Sequence, residues 1–143
     1  MTKVIAIHSN RGGVGKTLIA VNLAMAYAKL GGKVCLIDLD FRAPSLSRTL
    51  EENPSFWTND FFDDRVKIWD ALVDVTRKYG VDGRLLVGLA DPSLDSIRNM
   101  TYKDRRWEMK ALRKLVSLRS ELADKGIEYV IFDTSPGDRK SVV

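Results

Sequence analysis

The chain is short of the residues on which several common chemistries depend. Its 143 residues include one cysteine, Cys35, and one histidine, His8. A lone cysteine excludes a disulfide framework within one chain and a four-cysteine zinc site, and such sparse usage suits a reducing compartment. No apolar run approaches the roughly 18 residues that a membrane-spanning helix needs. The opening MTKVIAIHSN carries one lysine and too short an apolar stretch for a signal-peptide core, so a cytoplasmic location is expected. No internal repeat, low-complexity tract or linker interrupts the chain. What is present is 45% hydrophobic and 29% charged residues, a globular balance that excludes disordered and collagen-like classes. The length suits a single domain over residues 1–143.

The net charge of +4 is mild, but it is unevenly placed. Between Lys103 and Lys125 eight basic residues (Lys103, Arg105, Arg106, Lys110, Arg113, Lys114, Arg119, Lys125) face four acids, so this one segment holds the whole excess. The same stretch reads as a helix, with Trp107, Ala111, Leu115, Leu118 and Leu122 on one stripe. Its basic face is expected either to be solvated or to meet DNA or an acidic membrane surface.

Periodicity elsewhere gives alternating strands and helices. Residues 3–9 (KVIAIHS) read as a buried parallel strand, followed by a glycine-rich turn. Thr17–Leu30 is a helix closing on Gly31-Gly32, and Lys33–Asp38 (KVCLID) is a second buried strand. That order is a βαβ unit with parallel strands. Arg84–Ala90 and Glu128–Asp133 are two further strands, and Val66–Tyr79 reads as a helix with Trp69, Leu72, Val73 and Thr76 on one face. The fold class is α/β with a mainly parallel sheet flanked by helices.

The turn after the first strand carries the clearest chemistry. Asn10–Thr17 reads NRGGVGKT, a glycine-rich loop between a strand and a helix. Such a loop aims backbone N–H groups at one point, backed by the positive end of a helix dipole. Gly12, Gly13 and Gly15 permit the curvature and the close approach of an anion. Lys16 can reach β and γ phosphates, and the Thr17 hydroxyl can ligate Mg²⁺.

The ordinary phosphate-loop pattern would have glycine at position 10, where this chain has Asn10. A glycine pair preceded by Arg11 stands in the loop instead, which resembles the deviant Walker A sequence KGGVGKT of the ParA/MinD superfamily of partitioning and cell-division ATPases. Two further stretches are similar in order and spacing. Asp38-Leu39-Asp40 and the following residues to Leu46 resemble the family's DxD segment and its loop, and Asp133-Thr134-Ser135-Pro136-Gly137 resembles the Walker B segment DTPPG. Alternation along a strand would put Asp38 and Asp40 on one side, at the carboxyl end of the sheet.

The resemblance implies a P-loop fold binding Mg-ATP as a sandwich dimer that separates with ADP. Nucleotide contacts would come from Arg11, Gly12, Gly13, Val14, Gly15, Lys16 and Thr17, and from Gly137 toward the γ-phosphate. Lys16 and Asp40 would be catalytic, Asp40 by orienting the attacking water. Arg11 would take the place of the signature lysine that crosses to the partner's phosphates. Thr17, Asp38 and Asp133 would serve the magnesium ion, Asp38 through its waters. Family members usually run on for about as long again after this segment, so the resemblance covers the N-terminal half of the fold and the chain is expected to be truncated relative to them.

The function expected is that of an ATPase switch for chromosome or plasmid partitioning or for division-site placement, with an activating partner protein. The alternative is a nucleotide-binding regulatory or scaffold module with little turnover. The related bacterial tyrosine kinases fit less well, because no tyrosine-rich tail is present. Cys35 reads as a small core residue, His8 as a packing residue, and the aromatic run Phe56–Phe62 as side chains folded under the sheet or as a partner surface.

Overall fold

The computed structural model describes residues 1–7 and 14–134. A five-stranded sheet in the order β1-β5-β2-β4-β3 forms its middle layer. The strands are β1 (Lys3–Ile7), β2 (Lys33–Asp38), β3 (Leu72–Asp74), β4 (Arg84–Gly88) and β5 (Tyr129–Asp133). Pairing is parallel between β1 and β5, β5 and β2, and β2 and β4, while β3 runs antiparallel to β4 at one edge. The helices are α1 (Val14–Lys29), α2 (Leu46–Leu50), α3 (Thr58–Phe62), α4 (Thr76–Tyr79), α5 (Leu94–Thr101) and α6 (Arg105–Asp124).

Alternation along the strands divides the core into two halves. On one face Cys35, Ile37, Val130 and Phe132 meet Phe61 and Phe62 of α3 and Ala111, Leu118 and Leu122 of α6. On the other, Val34, Leu36 and Ile131 meet Ala20, Ala24 and Ala28 of α1, together with Leu46 and Leu50 of α2. The four-residue spacing of those alanines makes a flat stripe that lets α1 lie close to the sheet. This close seat points the start of α1 at the carboxyl ends of β5 and β2.

The basic stretch is helical, as its stripe predicts. Asp104 caps α6 by accepting the Trp107 N–H at 2.9 Å, and Trp107 and Leu115 pack against the core beside the three buried residues. Of the aromatic run, Phe61 and Phe62 are buried and Phe56 is exposed, which supports the packing alternative for the former pair.

Two expectations need correction. Residues 66–79 are not one helix: a 3-10 turn at Ile68–Ala71 leads into β3, and only Thr76–Tyr79 is α-helical. Leu72, Val73 and Asp74 pair with Gly88, Val87 and Leu86, so ladder bonds to β4 replace the helical bonds that the local spacing suggested. The first strand is parallel, but it is not buried. It lies at the sheet edge among the described residues, with Val4 42% exposed, because the apolar stripes of α1 and α6 cover mainly the inner strands.

Candidate functional site

Three chain segments bring charged and hydroxyl side chains together at the carboxyl end of the parallel strands. β5 ends at Asp133, placed in register beside Ile7 of β1 and Asp38 of β2. The first turn of α1 supplies Gly15, exposed, and Lys16 and Thr17, both buried. The Lys16 ammonium is ion-paired with Asp133 Oδ1 and lies 3.5 Å from Asp40 Oδ2. Thr17 Oγ1 donates to Asp133 Oδ2 at 3.0 Å and lies 2.8 Å from Ser45 Oγ.

The loop after β2 is shaped by its own carboxylates. Asp38 has no exposed surface and accepts the Asp40 N–H at 2.9 Å and the Leu46 N–H at 3.4 Å. Asp40 Oδ1 accepts the Ala43 N–H at 3.1 Å. Both aspartates do reach the site, though not by strand alternation. The strand stops at Asp38, and a tight turn closed on the Asp38 side chain carries Asp40 around toward Lys16.

Three buried carboxylates therefore share this space with one ammonium among the described residues. Burial pushes the Asp38 carboxyl up to about 8; the charge on Asp133 adds to the rise and that on Asp40 adds less, while the Asp40 N–H opposes it. Burial also raises Asp40, against the Ala43 N–H and the Lys16 charge. Such an excess of buried negative charge favours a cation, and the donors here are all hard oxygens. No three acidic, histidine or cysteine side chains among the described residues form a direct metal cage. Hard oxygen donors suit Mg²⁺, which keeps several waters and takes few protein ligands. Thr17 Oγ1 would hold it directly, with Asp38 and Asp133 acting through water.

Arg11, Gly12, Gly13, Gly137 and His8 lie outside the described residues, and Val14 contributes the backbone that opens α1. Cys35 is fully buried in β2, and desolvation raises its thiol far above the usual range, which suits a packing residue. Just before α6, Lys103 pairs with Asp63 at 3.1 Å, and within the helix Lys110 pairs with Asp64 at 3.1 Å and Lys114 also with Asp64. Three of the eight basic residues are thus engaged within the molecule, by two aspartates. Sequence reasoning gave no role to Thr134, whose Oγ1 and N–H both donate to Ile7 O and tie β5 to β1 beside the site. It gave none to Ser45 either, since a contact between residues 28 positions apart has no periodic signal.

A mainly parallel sheet with a strand-to-helix junction of this kind is the fold of a P-loop NTPase. The ParA family model, described as NUBPL iron-transfer P-loop NTPase, matches residues 1–65. The septum site-determining protein MinD of Synechocystis sp. is 34% identical over 139 residues, covering 96% of this chain and 46% of that relative. The cell division ATPase MinD of Pyrococcus furiosus has the same fold at a TM-score of 0.73 and 25% identity, over 97% of this chain and 52% of that one. MinD of Pyrococcus horikoshii, solved in complex with Mg-ADP, shares the fold with a TM-score of 0.73 at 23% identity, over 97% and 51%. The chain is thus homologous to the N-terminal half of ParA/MinD-type P-loop NTPases, and it spans about half the length of the curated relatives it matches. No helix among the described residues is long and apolar enough to cross a membrane.

Proposed function

We propose that the chain binds Mg-ATP and hydrolyses it as a ParA/MinD-type switch in cell-division positioning or partitioning. The convergence of Lys16 and Thr17 on the strand-terminal Asp133 supports this reading most directly. Bound Mg²⁺ would neutralise charge on the β and γ phosphates. Lys16, ion-paired with Asp133, would exchange that carboxylate for phosphate oxygens. Thr17 would hold the cation and Asp133 would support it, and Asp40 would hold the attacking water. Gly137 toward the γ-phosphate and Arg11 across a nucleotide-dependent homodimer complete the reading, with a partner protein that activates hydrolysis. Attraction to DNA or an acidic membrane would fall to the exposed Arg105, Arg106 and Arg113, since the lysines of α6 are engaged.

Lys16→Gln tests the site while leaving an amide donor for Asp133. Triphosphate affinity in calorimetry should drop about tenfold or more, because a charge-assisted contact of roughly 1.5–3 kcal/mol is lost. Unchanged affinity in a folded variant, checked by circular dichroism, removes the phosphate-site reading. Phosphate release by the parent chain separates a switch from a binding module without turnover.

A further inference from the structure

Ser45 occupies the N-cap position of α2, yet its hydroxyl makes no cap hydrogen bond. Serine at this position ordinarily accepts an N–H from the first turn and so stabilises the helix. Here the Leu46 N–H is taken by Asp38 Oδ2 at 3.4 Å, and the Ser45 hydroxyl is turned away to Thr17 Oγ1 at 2.8 Å. The backbone of Ser45 stays in the helix, its carbonyl accepting from the Thr49 N–H and hydroxyl, both at 2.9 Å. A residue suited to a local cap is thus held in a long-range contact at the cation-receptive end of the sheet.

Proton counting gives that contact a direction. Thr17 has one hydroxyl proton and donates it to Asp133 Oδ2 at 3.0 Å. The proton between Thr17 and Ser45 must then come from Ser45, so one of the two Thr17 lone pairs is occupied. Only the other is left, and its direction is fixed by the two hydrogen bonds. Without Ser45 the Thr17 hydroxyl oxygen would present either lone pair.

We infer that Ser45 is a positioning residue for the magnesium ion, aiming the free lone pair of Thr17 Oγ1 at the place the cation takes. The inference rests on the Mg-ATP reading above and adds a residue to it. It also links the loop after β2 to the metal, since Ser45 ends the segment whose shape Asp38 and Asp40 hold.

The test compares the parent chain with Ser45→Ala and Ser45→Thr, measuring ATP affinity by calorimetry in EDTA and Mn²⁺ binding to the ATP-loaded chain by electron paramagnetic resonance. Ser45→Ala should keep metal-free ATP affinity within about twofold and weaken Mn²⁺ binding about five- to tenfold. Ser45→Thr, which keeps the hydroxyl, should restore Mn²⁺ binding to within about twofold. Unchanged Mn²⁺ affinity in Ser45→Ala overturns the assignment, as does an equal loss with and without metal, which marks a structural role. Should the parent itself fail to bind ATP, the nucleotide reading falls and Ser45 with it; a parent that binds Mg-ATP with an indifferent Ser45→Ala overturns Ser45 alone.

Discussion

At Asp40 the two carboxylate oxygens have different work: Oδ1 holds the Ala43 N–H at 3.1 Å, while Oδ2 faces the Lys16 ammonium at 3.5 Å. Truncation to alanine would remove both contacts and confuse loop shape with chemistry. Asp40→Asn keeps an acceptor for Ala43 and removes the charge, so it isolates the proposed action on water. Mg-ATP binding should stay within about threefold, while single-turnover hydrolysis slows about a hundredfold, as expected for a group used chiefly in the transition state. Parental rates in this variant would take Asp40 out of the reaction. Lys16 and Thr17 were legible as site residues because their position in a strand–glycine loop–helix order carries a mechanism. Their present partners, Asp133 and Ser45, were settled by the way β5 and the loop after β2 come to lie against α1.

Among the elements, the junction where α1 ends and β4 begins depends on close backbone contact. Gly83 donates to Ala28 O at 2.8 Å, and the Arg84 N–H donates to Gly32 O at 3.0 Å. A Cβ at Gly83 would stand 2.0 Å from Gly32 O and 2.6 Å from Gly31 C, and neither backbone atom can swing aside. Gly83→Ala should therefore destabilise the chain by about 1–3 kcal/mol or more through overpacking. Gly80→Ala is the companion, since Gly80 has open space but φ of +58°; its cost should be about 1 kcal/mol. Urea unfolding that ranks Gly80→Ala as the more harmful would contradict this account of the junction. Nearby, the sequence misled: Trp69, Leu72, Val73 and Thr76 have helical spacing, but β4 offers an open ladder, and Leu72–Asp74 takes it.

For the molecule as a whole, the buried carboxylates make folding sensitive to pH. Asp38 has a folded value of about 8, above the ordinary value of 3.8, so between these limits the folded chain holds a proton that the unfolded chain has released. Stability from this residue is fully present below about pH 4 and is lost as pH rises through 8. In EDTA, unfolding free energies from urea titrations should accordingly fall across this window, by on the order of 2–5 kcal/mol from Asp38. Asp38→Asn cannot ionise and should flatten the decline. An equal slope in that variant would assign the pH dependence to other groups.

What the sequence determined by itself was local: the alternation of strands and helices, the α/β class, the glycine loop with Lys16 and Thr17, the apolar stripe of α6, and aspartates closing two apolar strands. These depend on periodicity and on residue type at a junction, both of which are written along the chain. Tertiary structure alone decided which strands became neighbours. It set β1 at the sheet edge, turned Leu72–Asp74 into an antiparallel strand, engaged Lys103, Lys110 and Lys114 with Asp63 and Asp64, and drew Ser45 to Thr17. Such outcomes depend on competition among distant partners for ladder bonds, burial and charge, and no short window of sequence contains both competitors.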